Sequence, residues 1–223
     1  DEFKKGKVEK IDLKGKEVVV GVDLSVSTDL TAVSMVYKEN GKYYIHSKGF
    51  LPKDTLVQRR EKIDYRLYER EGYCELHEGL TINYTRIEEY IRSIEETYNC
   101  TIICIVSDPY NAKQMMESLA EDYDVILIRQ SYQQLSPPLK SFRDEVYNRN
   151  VFYQENKLLE WRVSNAIEKK GTYDDILITK NKNHLRIDLL DSIIFAYSQL
   201  YLEENIDLNA MTEEYLNNLE EMG

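Results

Sequence analysis

The chain has 223 residues, 42% of them hydrophobic and 31% charged, with 9 Gly and 4 Pro. That composition excludes a disordered or collagen-like polypeptide, and the length suffices to bury a core without disulfide or metal staples. The 29 Lys plus Arg against 40 Asp plus Glu leave a net charge of −11, which taken alone argues against a nucleic-acid partner.

Residues 1–16 alternate Lys with acids and carry little apolar periodicity, so they are expected to be a linker, with order beginning near Glu17. They do not read as a signal peptide, and no apolar run approaches the ~20 residues of a membrane span. Residues 18–22 form a short β-branched run, a buried strand ending at Asp23. Residues 31–37 and 43–50 are two further strands joined by the hairpin signal Asn40-Gly41. Residues 53–69 and 84–98 are expected helices, and residues 101–106 a buried strand stopped by Asp108-Pro109. Cys100, Ile102 and Cys104 share one face of it by alternation. A helix over 111–122, a strand over 124–128 and a helix opening at Pro137-Pro138 follow. Residues 157–169 and 186–202 complete the helices, and this second half is α/β. Residues 203–223 hold seven acids and no Lys or Arg, the pattern of a solvated acidic tail. Three cysteines, Cys74, Cys100 and Cys104, are an odd set without zinc-site spacing, expected as buried reduced thiols of an intracellular protein.

Asp23 and Asp108 each end a buried strand, and Asp188 opens the last amphipathic helix. In open α/β sheets functional groups gather at the carboxyl ends of strands, so the first two converge if their strands are parallel neighbours. Three close carboxylates repel in low dielectric, and the relief is protonation or a divalent cation. Oxygen donors select hard ions, hence Mg²⁺ or Mn²⁺, and a pair of such ions suits phosphodiester hydrolysis. Singly, each aspartate equally suits a structural role as turn residue, Asp-Pro turn starter or helix N-terminal acid.

The stretch from Val18 to Val33, Val-Val-Val-Gly-Val-Asp-Leu-Ser-Val-Ser-Thr-Asp-Leu-Thr-Ala-Val, closely resembles the first acidic motif of the nuclease domain in large terminase subunits of tailed bacteriophages. In the same order, Glu71-Gly72, Gly79 and Tyr84 resemble that family's middle region. Ser107-Asp108-Pro109-Tyr110-Asn111-Ala112 resembles its second acidic motif, and Gln130 with residues 135–140 the segment after it. Leu159, Trp161, Ser164 and Asn165, then Lys180, then Arg186-Ile187-Asp188 with small Ser192 and Ala196, resemble its closing block. The resemblance covers residues 17–204 and implies an α/β, ribonuclease H-like mixed central sheet flanked by helices. It also implies metal-dependent cleavage of concatemeric double-stranded DNA with two Mg²⁺ or Mn²⁺ ions. Asp23, Asp108 and Asp188 match the three catalytic carboxylates; Asp191, one helical turn on, is an outer or alternative ligand. A full terminase also carries an ATPase motor, whose Gly-rich phosphate loop has no counterpart here. The chain is therefore expected to be the isolated nuclease domain, with residues 1–16 a linker remnant and 205–223 an acidic tail. The implied partners are double-stranded DNA, the upstream motor, the small terminase subunit and the portal, in the host cytoplasm and without a membrane.

Supporting candidates are Ser25 and Asp29 in the polar loop after Asp23, with Ser27 and Thr28, together with Asn165, Lys180 and His184. The segments 53–70 and 162–186 are locally basic, six bases against four and three acids respectively, which marks Arg59 and Arg60 and the second segment as DNA-backbone candidates. Most of the 18 tyrosines are expected in the core or on amphipathic surfaces. Rival readings are another ribonuclease H-like enzyme (resolvase or transposase), a sugar-kinase or actin-like ATPase domain, and a noncatalytic packaging module.

Overall fold

The computed structural model describes residues 1–25, 29–59, 61, 63–109, 113–182 and 185–221, with the backbone alone from residue 206 onward. Its strands are β1 (Lys7–Val8), β2 (Glu17–Asp23), β3 (Thr31–Glu39), β4 (Lys42–Pro52), β5 (Cys74–His77), β6 (Thr101–Ser107), β7 (Val125–Leu127), β8 (Val151–Gln154), β9 (Ala166–Lys170) and β10 (Ile176–Lys180). The helices are α1 (Tyr65–Arg70), α2 (Tyr84–Tyr98), α3 (Lys113–Leu119), α4 (Tyr132–Tyr147), α5 (Lys157–Ser164) and α6 (Asp188–Glu221). The main sheet runs β1-β8-β4-β3-β2-β6-β7, with β5 added beside β4, and β9 and β10 form a separate antiparallel hairpin. β2, β3 and β4 are antiparallel neighbours, while β2–β6, β6–β7 and β4–β8 are parallel, so the sheet is mixed. Among the described residues no helix is long and apolar enough to cross a membrane.

Strand alternation divides the core into two layers. Val18, Val20 and Val22 of β2 pack with Ile87, Tyr90, Ile91 and Ile94 of α2, whereas Val19 packs with Leu189, Ile193, Ala196 and Tyr197 of α6. Gly21, on the α6 side, has no room for a side chain: a Cβ there would stand 1.8 Å from the Ser192 carbonyl oxygen and 2.9 Å from the Ala196 nitrogen. The small residues of α6 lie where the helix crosses this glycine. A buried hydroxyl chain pins the same crossing, Ser34 Oγ lying 2.7 Å from Ser47 Oγ and 2.6 Å from Ser192 Oγ. Gly21→Ala should therefore push α6 off the sheet and cost about 3 kcal/mol, read as a lowered midpoint in chemical denaturation; an unchanged midpoint would refute this account of the crossing.

Several elements depart from the expectations. Residues 1–16 are not a bare linker: β1 pairs parallel with β8, Phe3 stacks on Tyr153 with ring centroids 4.5 Å apart, and Ile11 and Leu13 are buried. Sparse apolar residues concealed that order, because each one is buried against a distant element rather than along a periodic face. Residues 53–69 form a 3₁₀ turn (Lys53–Gln58) and then α1, whose start is set by Asp64 accepting from the Leu67 amide at 3.1 Å. The helix expected to open on Pro137-Pro138 begins at Tyr132, capped by Ser131, and holds both prolines inside. The helix expected over 157–169 ends at Ser164, and residues 166–170 turn back as a strand against 176–180. The last helix does not stop at Leu202 but runs to Glu221, since no Gly or Pro interrupts it before Gly223.

One irregularity decides where Asp108 points. Val18 is paired with Ile102 and Val19 with Cys104, which leaves Ile103 as a bulge. Cys100, Ile102 and Ile105 consequently join the α2 layer, while Cys104 and Val106 join the α6 layer. The three residues expected to share a face do not. Without the bulge, alternation from Ile102 would carry Asp108 to the α2 side of the sheet; with it, Asp108 continues the row of Cys104 and Val106 toward α6.

Candidate active site

Asp23 is the last residue of β2, and Asp108 directly follows β6. The two strands are parallel neighbours with Val22 opposite Ser107, so both aspartates leave the sheet at the same carboxyl edge, on strands ~4.8 Å apart. Asp188 and Asp191 occupy the first turn of α6, whose crossing over Gly21 brings that turn onto this edge. Asp108 is buried, and Asp23, Asp188 and Asp191 are partly so.

The electrostatics separate the four. Burial, then the charges of Asp191, Asp188 and Asp108 in that order, push the Asp23 carboxyl well above the usual carboxylate range. Burial, then Asp188 and Asp108, do the same to Asp191. Asp188 is raised by burial and by Asp29, but Arg162 opposes this first, with a backbone hydrogen bond and Arg186 adding to the opposition. Arg162 Nη1 lies 3.5 Å from Asp188 Oδ2, a buried oxygen without a hydrogen-bond partner. Asp191 thus faces the two strand-end acids, while Asp188 has a cation behind it. Among the described residues no three His, Cys, Asp or Glu side chains already stand as a ligand shell. The donor chemistry nonetheless fits a hard divalent cation: oxygen donors only, crowded like charges, and an orphaned carboxylate oxygen.

Residues 1–204 match the family model described as the terminase large subunit, endonuclease domain. The chain belongs to this family. It is 24% identical over 212 residues to Protein YmfN of Escherichia coli (strain K12), covering 87% of this chain and 45% of that protein. It is also 24% identical over 195 residues to the terminase large subunit of Lactococcus phage SK1, covering 83% of this chain and 35% of that protein. The chain therefore spans less than half the length of these relatives. Its fold matches the HK97 bacteriophage large terminase with a TM-score of 0.77 at 18% identity, covering 87% of this chain and 41% of that one. It matches the large terminase nuclease from thermophilic phage G20c, solved with bound magnesium, with a TM-score of 0.54 at 12% identity, covering 83% and 85%. The mixed sheet flanked by helices is the ribonuclease H-like fold of terminase nucleases.

Within this terminase nuclease domain the other candidates fall into distinct places. Ser25 closes the loop after Asp23: its Oγ donates to the Asp29 carbonyl at 2.9 Å, its amide donates to Thr31 Oγ1 at 3.1 Å, and its carbonyl accepts from Tyr84 Oη at 2.7 Å. Asp29 is ion-paired with Arg186 at 3.0 Å, and both reach the site through Asp188, which Asp29 raises and Arg186 lowers. Asn165 is buried and donates through Nδ2 to the Arg186 carbonyl at 3.1 Å, bracing the approach to α6. Lys180 is exposed at the end of β10, opposite Ala166. Arg59, a candidate DNA contact, is instead buried in a 2.9 Å ion pair with Glu61, because the 3₁₀ turn folds it inward. Arg60, His184, Ser27 and Thr28 lie outside the described residues. Cys74, Cys100 and Cys104 are free and buried.

Sequence reading missed Arg162, which it placed at the head of a solvent-facing basic segment. The cue was present: Leu158, Leu159 and Arg162 recur at helical spacing, and all three are buried on one face of α5.

Proposed function

We propose that the four carboxylates form the cation centre of a double-stranded DNA endonuclease, the nuclease part of a phage DNA-packaging terminase. The observation that carries the reading is the convergence of Asp23, Asp108, Asp188 and Asp191 from two strand ends and one helix start, buried enough that the charges of Asp191, Asp188 and Asp108 raise Asp23 and those of Asp188 and Asp108 raise Asp191. Asp23, Asp108 and Asp191 would hold two Mg²⁺ or Mn²⁺ ions, with Asp188 completing the set from its pairing with Arg162. When bound, such ions supply a water of lowered pKa and positive charge for the leaving oxygen of a phosphodiester. The chain itself fixes the carboxylates on rigid elements, and the α6 N-terminus favours their negative charge. Exposed Lys169, Lys170, Lys180 and Lys182, on and beside the β9–β10 hairpin, offer cations to the DNA backbone.

In this reading residues 17–204 carry the nuclease core with residues 1–16 packed onto it, and an ATPase motor domain belongs to the same subunit. The small subunit and the portal assemble with the whole terminase in the host cytoplasm, and the substrate is concatemeric DNA. The test is supercoiled-plasmid cleavage by the wild-type chain with Mn²⁺, with Mn²⁺ plus excess chelator, and by Asp23→Asn. Cleavage is expected only in the first reaction. Activity in chelator would refute the cation centre, and a fully active Asp23→Asn protein would refute the site.

A further inference from the structure

Arg162 heads the fully buried side chains by volume, with no exposed surface. It cannot touch DNA, yet it is not satisfied as a structural arginine: Nε and Nη1 have no hydrogen-bond partner. Burying a guanidinium with unmatched N–H groups is costly, and an apolar side chain of similar volume would serve packing at least as well. What the geometry does provide is a line of contacts. Nη1 stands 3.5 Å from Asp188 Oδ2 on the side of the carboxylates. On the far side Nη2 donates to Tyr65 Oη at 2.9 Å, and the same hydroxyl donates to Glu61 Oε1 at 3.0 Å. Glu61 Oε1 also accepts from Arg59 Nη1 at 2.9 Å, and both of those side chains are buried. A neutral phenol is the right link here, because one oxygen must accept from a cation and donate to an anion at once; burial pushes its pKa up and keeps it neutral.

We propose that Arg162 is a positioning residue of the nuclease centre: it orients the Asp188 carboxylate from inside the protein and, through Tyr65 and Glu61, ties that orientation to Arg59. The proposal rests on the cation-centre reading above. It places Arg59, Glu61 and Tyr65, from a stretch whose sequence suggested DNA contact, in the machinery that shapes the cation site.

Two variants isolate geometry from charge. Tyr65→Phe changes no charge and removes one hydroxyl. Arg162→Lys keeps the charge, but a single ammonium cannot reach both Tyr65 and Asp188. Mn²⁺ binding by calorimetry, melting temperature, and plasmid-cleavage kcat and KM would be measured for both, beside the wild type and Asp23→Asn. Mn²⁺ affinity is expected to fall about tenfold in Tyr65→Phe and roughly 10–100-fold in Arg162→Lys, the range of outer-partner losses at metal sites. kcat should fall with it while the KM for plasmid stays put. Wild-type Mn²⁺ affinity in both variants, whatever their melting temperatures, would overturn the proposal and leave Arg162 a packing residue or simple counter-charge. If Arg162→Lys does not fold, Tyr65→Phe decides alone. An Asp23→Asn protein that binds Mn²⁺ like the wild type would sink the cation-centre reading, and the proposal with it; loss of binding there, with both positioning variants intact, would sink the proposal only.

Discussion

Asparagine at Asp23 or Asp191 should abolish plasmid cleavage and at the same time raise the melting temperature of the cation-free protein. The catalytic loss follows from the proposed role. An amide neither carries the charge that holds a divalent cation nor leaves the neighbouring carboxylates balanced, and a drop on the order of 10³-fold corresponds to about 4 kcal/mol of barrier. The gain in stability follows from what the cluster is without a cation. Asp23 and Asp191 are pushed well above the ordinary range by burial and by one another's surroundings, so ionising them at neutral pH works against the fold. Removing one charge relieves that repulsion, by about 1–2 kcal/mol, which for a chain of this size is a rise of roughly 2–8 °C. Asp188 is raised too, by burial and by Asp29, and its charge adds to the repulsion on Asp23 and Asp191, so Asp188→Asn also relieves the cluster. Here, however, the loss of the partner of Arg162 outweighs that relief, and the net shift is downward. The substitution strips the carboxylate charge from in front of the buried Arg162, and a buried cation deprived of its partner costs about 2 kcal/mol or more. Activity falls in all three variants, but the direction of the melting shift separates Asp23 and Asp191 from Asp188, which is backed by arginine. A lowered melting temperature in Asp191→Asn, or a raised one in Asp188→Asn, would exchange their roles.

How much of this was legible beforehand differs by element. The β-branched run before Asp23, the Asn40-Gly41 hairpin and the apolar stripe of α2 declare themselves through local periodicity, and each is present as read. Asn40 and Gly41 both take the positive φ that a two-residue hairpin demands, at 51° and 73°. The acids at the strand ends were legible for the same reason, since a charge terminating a buried run stands out. What failed was whatever depends on partners far away in sequence. β1 is a two-residue strand held by pairing with β8, Lys7 opposite Tyr153, and four-residue β8 sits between β1 and β4, both of them far away in sequence. The bulge at Ile103 is invisible in a uniformly apolar strand, yet it sets the face from which Asp108 emerges. Helical spacing puts both Asp188 and Asp191 near the site and does not choose between them; the buried Arg162 beside Asp188, on α5, is a difference between the two that spacing could not show. Composition misled in the opposite sense. Seven acids in residues 203–223 account for most of the net charge of −11, so the average hid a hairpin region with four exposed lysines.

Divalent cation should stabilise the protein strongly at alkaline pH and only weakly in acid. Asp23 and Asp191 bind protons more tightly folded than unfolded. The cation-free folded state therefore holds more protons than the unfolded chain between the ordinary Asp range near pH 4 and the raised values. Across that window its stability falls as pH rises, and below it, with both states protonated, the contribution is fully present. A cation bound by these carboxylates needs them ionised, so it competes with protons and its stabilisation grows in the direction in which the apo protein weakens. At a concentration about a hundredfold above its dissociation constant it adds about 2.7 kcal/mol, a rise of roughly 5–10 °C for a chain this long. Thermal melts with Mn²⁺ and with chelator, from pH 5 to pH 8, read both slopes at once. The expected record is two curves that lie together at pH 5 and separate steadily upward, and that separation should vanish in Asp23→Asn. Parallel curves across the whole range would place the cation on surface carboxylates instead, because exposed acids are already ionised at pH 5 and gain nothing as the pH is raised.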